Sequence, residues 1–125
     1  MKIRILLWCL FMCATFNANA DTESQSVRHI VVFKYTSDAS AADIDKVTRA
    51  FAELEHKIPG IESFEHGVNN SPEALNKGFT HIYQLTFTDE AARDTYLPHP
   101  EHKKFGELLA ELGILDDVFV VDYAK

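Results

Sequence analysis

Two stretches near opposite ends of the chain, VRHIVVFKY (27–35) and LDDVFVVDY (115–123), are apolar on both faces of the strands they would form. Along the first, Val27, His29, Val31, Phe33 and Tyr35 face one way, and Arg28, Ile30, Val32 and Lys34 the other. Along the second, Val118 and Val120 stand opposite Phe119, Val121 and Tyr123. A sheet with helices on one side and water on the other is polar on its wet face, so apolar groups on both faces call for cover on both. Burying a second face of a few hundred Å² is worth several kcal/mol at about 25 cal/mol per Å².

What lies between the two strands limits what can supply that cover. Ser40-x-x-Asp43 resembles a capping box. It opens a helical pattern in which Ile44, Val47, Phe51, Leu54 and Ile58 recur three and four residues apart. Pro59-Gly60 ends it, and a second strand is expected over about 61–68. A polar loop, 69–78, leads to a third strand, FTHIYQLTF (79–87). Asp89 can cap a short helix over 90–96. Pro100 suits the first position of a longer one with Phe105, Leu108, Leu109 and Leu112 on its apolar face, stopped by Gly113. The order β-α-β-β-α-β predicts an α+β fold: a ferredoxin-like antiparallel four-stranded sheet with helices on one face. No helix is left for the other face. A second copy of the chain is the expected cover, giving a homodimer packed sheet to sheet.

The first 20 residues read as a cleavable signal peptide. Lys2 and Arg4 precede an uncharged, mostly apolar run from Ile5 to Phe16, and Ala18-Asn19-Ala20 supplies small residues before a cut after Ala20. The apolar run is shorter than the roughly 20 residues a membrane span needs. The expectation is a secreted or periplasmic protein with a polar leader at 21–26 and one domain at 27–125. Both cysteines, Cys9 and Cys13, fall in the removed segment, so the mature domain relies on burial rather than disulfides. Losing Lys2 and Arg4 takes the formal charge from −7 to −9. So acidic a surface repels phosphate backbones and anionic lipid, and no nucleic acid or membrane partner is expected.

The segments VRHIVVFKY (27–35), IPGIESFEHG (58–67), GFTHIYQLTF (78–87), YLPHPEHKKFGELL (96–109) and VFVVDY (118–123) resemble the stress-responsive A/B barrel (Dabb) domain family. The resemblance spans nearly the whole mature chain. Its most specific part is the His-Pro-x-His of 99–102, followed by Phe105-Gly106. It implies a dimeric α+β barrel in which two ferredoxin-like sheets pack together. In the plant polyketide cyclases of this family a histidine of the motif acts as base and an upstream tyrosine positions the substrate. The resemblance puts those roles on His102 and Tyr96, and matches the histidines near the cyclase pocket to His29 and His81.

Each of these residues also has a plainer role open to it. His102 falls near the start of a helix, where the positive end of the dipole favours a neutral imidazole suited to a general base; a structural histidine fits there equally. Tyr96 can donate its hydroxyl to a ligand or pack under the break at Leu97-Pro98. His29 and His81, each among apolar neighbours on its strand, can be satisfied core residues or the polar corner of one pocket. His99 is expected to cap the last helix, and His56 and His66 to lie on the surface. Tyr83, Phe87 and Phe105 are core aromatics that can also line a cavity for a small apolar or aromatic molecule. No cofactor is expected, and no metal, since the mature domain keeps no cysteine and no carboxylate falls between His99 and His102 in a recognised ligand spacing. Two functions follow. One is an exported homodimer that binds a small molecule without turnover. The other is a cyclase or lyase in which His102 removes a proton while Tyr96 orients a carbonyl. Export favours the first, because thioester-derived polyketide intermediates stay in the cytoplasm.

Overall fold

A computed structural model describes residues 24–125. The signal peptide expected over 1–20 and the first half of the leader lie outside the described residues. The elements are β1 (Val27–Tyr35), α1 (Ala41–Ala52), α2 (Leu54–Lys57), β2 (Ile61–Val68), β3 (His81–Phe87), α3 (Glu90–Tyr96), α4 (Pro100–Leu112) and β4 (Leu115–Ala124). They form one antiparallel sheet in the order β2-β3-β1-β4, the ferredoxin-like arrangement. The central pair β1–β3 aligns Val27, His29, Val31 and Phe33 with Phe87, Leu85, Tyr83 and His81. All eight project toward the helices. Seven of them are buried there with Val47, Phe51, Leu54, Ile58, Tyr96 and Phe105.

The helix ends follow the capping chemistry in the sequence. Ser40 Oγ accepts from the Asp43 N–H at 3.1 Å, and Asp89 Oδ1 from the Ala92 N–H at 2.8 Å. His99 Nδ1 accepts from the Glu101 N–H at 3.2 Å, with Pro100 at the first helical position and Gly113 in the left-handed conformation at the end. Gly60 is required for two reasons. Its φ is +91°, and a Cβ there would come within 2.6 Å of the Ala92 side chain, so the turn into β2 seats directly on α3.

Two boundaries differ from the sequence pattern. The first helix is interrupted at Glu53, where the His56 N–H reaches back only three residues, to Glu53 O at 3.2 Å. That tighter turn still leaves Leu54 and Ile58 pointing inward. The third strand begins at His81 rather than Phe79, because the Phe79 N–H closes a turn on Asn76 O after positive φ at Lys77 and Gly78.

The helices do not cover the sheet evenly. On the open face Phe119 and Val121 are 51% and 41% exposed, as two-faced strands require of a single chain. On the helix side of β4, however, Val118 and Val120 are also bare, at 45% and 47%. Strand β4 is therefore an edge with both faces exposed, and the helix layer ends over β1.

Candidate functional site

The uncovered inner side of β4 leaves a gap between strand and helices, and the site is built around it. Helix α3 ends at Tyr96, and the Leu97-Pro98 break turns the chain before α4 begins. His102, in the first turn of α4, reaches back across the break, and its Nδ1 lies 3.0 Å from Leu97 O. A carbonyl only accepts, so Nδ1 carries the hydrogen and the neutral ring keeps its lone pair on Nε2. The Glu101 N–H is taken by His99, and His102 turns to a carbonyl instead.

The His102 ring lies against Tyr96, with centroids 4.2 Å apart and planes at 31°. Tyr96 is 1% exposed, and its ring also packs on Phe87 at 5.0 Å and on His29 at 5.7 Å. Burial, and then the negative charge of Asp122, push its phenol well above the usual tyrosine range. It stays a neutral O–H donor at any physiological pH. His29 is buried on β1, and its Nδ1 lies 2.6 Å from Asp122 Oδ1 on the register-paired position of β4. The carboxylate's other oxygen accepts from Arg93 Nη1 at 3.3 Å. Asp122 thus fixes the His29 ring through Nδ1 and leaves Nε2 as its open nitrogen.

These groups border a cavity of about 260 Å³. His29, Tyr96 and His102 give it a polar corner; Phe33, Phe51 and Phe105 supply much of the apolar wall. The bare Val118 and Val120 form its β4 side. The arrangement can hold a small apolar molecule, donate a hydrogen bond to its oxygen from Tyr96, and accept a proton at an imidazole.

Of the residues singled out from sequence, His29, Tyr96, His102 and Phe105 meet at this cavity, and Phe87 packs directly behind Tyr96 and His29. His81 and Tyr83 do not. The expectation that His29 and His81 form the corner of one pocket gives way to two separate places, because β1 and β3 run antiparallel and set the two histidines at opposite ends of the sheet. His81 borders a second cavity, about 310 Å³, with the exposed His66 and with Asp45, Thr48 and Val68. Its Nδ1 lies 2.9 Å from Thr80 Oγ1, and burial followed by the charge on His66 holds it below the usual histidine range. Tyr83 lines neither cavity; its hydroxyl lies 2.9 Å from Tyr35 Oη and 2.8 Å from Thr48 Oγ1. Asp122, Arg93 and the Leu97 carbonyl were not legible as site groups. The one signal for Asp122 is a carboxylate on the inward-facing parity of VFVVDY, which becomes informative only when the strand register sets it beside His29. Among the described residues no three His, Asp or Glu side chains converge to hold a metal ion.

Comparison with known proteins agrees with this fold. Residues 27–125 match the family described as Stress responsive A/B Barrel Domain. The chain is 33% identical to the stress-response A/B barrel domain-containing protein HS1 of Arabidopsis thaliana, covering 78% of this chain and 87% of that one. It is 25% identical to olivetolic acid cyclase of Cannabis sativa, over 78% and 95% of the two chains. Among solved structures, hydroxynitrile lyase from Passiflora edulis superposes with a TM-score of 0.73 at 26% identity, covering 81% and 94%. A dimeric protein of unknown function and ferredoxin-like fold from Bacteroides fragilis gives 0.61 at 30% identity, covering 80% and 96%.

Proposed function

Because the chain belongs to the stress-responsive A/B barrel (Dabb) family, we propose that it acts as an exported homodimer whose two sheets pack face to face. Each subunit holds a small, largely apolar molecule in the His29–Tyr96–His102 cavity. The observation that carries this reading is a buried tyrosine whose hydroxyl has no hydrogen bond to any described residue, beside two histidines in a cavity otherwise walled by apolar side chains. Such a group discriminates strongly in favour of a ligand oxygen that can accept from it. The dimer is supported by the exposed Phe119 and Val121 and by the dimeric Bacteroides neighbour. Export is supported by the pattern of residues 1–20.

A second reading, catalysis, is favoured by the tautomer of His102. With Nδ1–H donated to Leu97 O, the free Nε2 can take a proton from carbon beside a carbonyl, or from a hydroxyl whose oxygen then becomes a carbonyl as the adjacent carbon–carbon bond breaks and its electron pair leaves on a stabilised carbanion. Tyr96 would polarise or stabilise the oxygen. This is lyase- or aldol-type chemistry, and the chain's relatives include a cyclase and a lyase.

Small molecules released from protein purified from its native compartment, identified by mass spectrometry, test the pocket. His102→Gln then separates the readings. A catalyst loses turnover by about 10²–10⁴-fold while ligand affinity stays within a few-fold; a binding protein shows no turnover to lose. Light scattering of the mature chain tests the dimer: a mass twice that of one chain, halved by Phe119→Asp, is expected, and a monomer at micromolar concentration removes it. An N-terminus at Asp21 on protein recovered outside the cytoplasm tests export.

A further inference from the structure

Both edge strands of the sheet are bare on the side where the helices lie. On β4 the bare positions are Val118 and Val120, which form the open side of the His29–Tyr96–His102 cavity. On β2 they are His66, which is exposed, and Val68, 64% exposed. Register fixes their direction: His66 pairs with Tyr83 and Val68 with His81, both of which point toward the helices. The same ladders fix their height along the sheet. His66, Tyr83, Val31 and Val120 stand in one row across the four strands, and Val68, His81, Phe33 and Val118 in another. The two bare strips are therefore level with each other, at opposite edges of one chain.

A sheet-to-sheet dimer can treat these edges in two ways. A two-fold axis running across the strands lays β4 over the partner's β4, and every strip stays open. An axis running along the strands lays β4 beside the partner's β2, at the same height, and repeats the contact at both seams. Twisted sheets that curve toward each other then bring the two edges side by side, as when a barrel closes. An apolar edge strand left open invites uncontrolled association, and of the two arrangements only the second covers it. We propose that the ligand cavity is a composite site: the partner's β2, through Val68 and His66, closes the side that β4 leaves open. The proposal rests on the dimer reading above and adds that each chamber is unfinished in a single chain. Its mouth receives a third imidazole, and that imidazole comes from the other subunit.

Engineered thiols test the arrangement without background, because the mature chain has no cysteine. In Val68→Cys/Val118→Cys the two positions lie three strand spacings apart within one chain, about 14 Å. A disulfide reaches only about 7 Å between Cα atoms, so any bond formed joins two chains. Mild oxidation is expected to turn most of this variant into a covalent dimer, while Val68→Cys alone and Val118→Cys alone run as single chains on a denaturing gel. Ready cross-linking of Val118→Cys alone places β4 on β4 and overturns the proposal. So does a dimer in light scattering whose double variant yields no covalent product. A monomer in light scattering removes the dimer reading, and this inference with it. A second measurement reads the site: acetophenone titrated into the mature protein and followed by the imidazole signals of His29 and His102. His66 borders the other cavity of its own chain, yet His66→Ala is expected to weaken binding by about fivefold with no change in thermal midpoint. Unchanged affinity overturns the role given to His66. If acetophenone shifts neither histidine at millimolar concentration in the wild-type protein, the pocket reading fails, while the cross-link still decides the arrangement.

Discussion

The two ends of the helix-covered face carry nearly the same side chains and use them in opposite ways. Each end has a tyrosine and two histidines: Tyr96 with His29 and His102, Tyr83 with His66 and His81. At the far end the hydroxyls are consumed within the protein. Tyr35, Tyr83 and Thr48 satisfy one another, and His81 leans on Thr80. At the near end the protein satisfies only the Nδ1 sides of the rings, with a carboxylate at His29 and a backbone carbonyl at His102. It leaves the Tyr96 hydroxyl and both Nε2 atoms without a partner among the described residues. His81 Nε2 and the His66 ring are unpartnered too, so the histidines do not separate the two ends; the tyrosine hydroxyl, spent at one end and free at the other, does.

That contrast can be broken by mutation. The largest effect is expected at Asp122→Ala, which strips the buried His29 Nδ1–H of its acceptor and Arg93 of one of its two carboxylate partners, leaving it Asp94. A buried unpaired polar group costs about 1–3 kcal/mol, and the thermal midpoint should fall by roughly 4–8 °C for each kcal/mol in a domain of this size. Next comes Tyr83→Phe, which strands the Tyr35 and Thr48 hydroxyls at a cost of about 1–2 kcal/mol with no change in ligand affinity. Tyr96→Phe is the mirror experiment. Its hydroxyl supports nothing in the fold, so stability should move by less than about 0.5 kcal/mol, while affinity for a carbonyl ligand drops about tenfold, as loss of one hydrogen bond implies. Equal destabilisation by Tyr83→Phe and Tyr96→Phe in calorimetry would erase the distinction between the two ends.

The smallest expected effect concerns pH. His81 is held below the usual histidine range in the folded protein, so the unfolded chain binds its proton first as pH falls. Its contribution is intact above the ordinary histidine value near 6.5 and is lost as pH drops from there through its depressed folded value. His81→Gln should therefore flatten the decline of the thermal midpoint as pH falls below about 6.5. A slope identical to wild type would place the acid sensitivity elsewhere.

How much of this the sequence reveals depends on the range of the interaction. The elements and caps are local: Ser40, Asp89, His99-Pro100 and Gly113 mark their helix ends within a turn, and alternation in 27–35 fixes which side chains of β1 point inward. The two-faced strands likewise announce a surface needing cover. What stays hidden is nonlocal. Whether His29 meets His81 or Asp122 is a question of strand order and register, and antiparallel pairing answers it against the histidine pair. The Leu97 carbonyl is a backbone atom freed by a helix break, which no side-chain pattern records. Bare Val118 and Val120 are apolar residues that the alternation assigns to a covered face, and only the reach of α4 leaves them open.

The pairing of the first strand with the last has a consequence for how such a domain is made. The Lys125 N–H bonds Ser26 O at 2.8 Å, and β4 aligns with β1 along nearly its whole length. A chain emerging from the ribosome has β1 from the outset but no β4 until synthesis reaches residue 115. Until then one edge of β1 stays unpaired, His29 has no carboxylate, and the cavity lacks a wall. The sheet closes, and the site comes into being, only once the last segment has arrived.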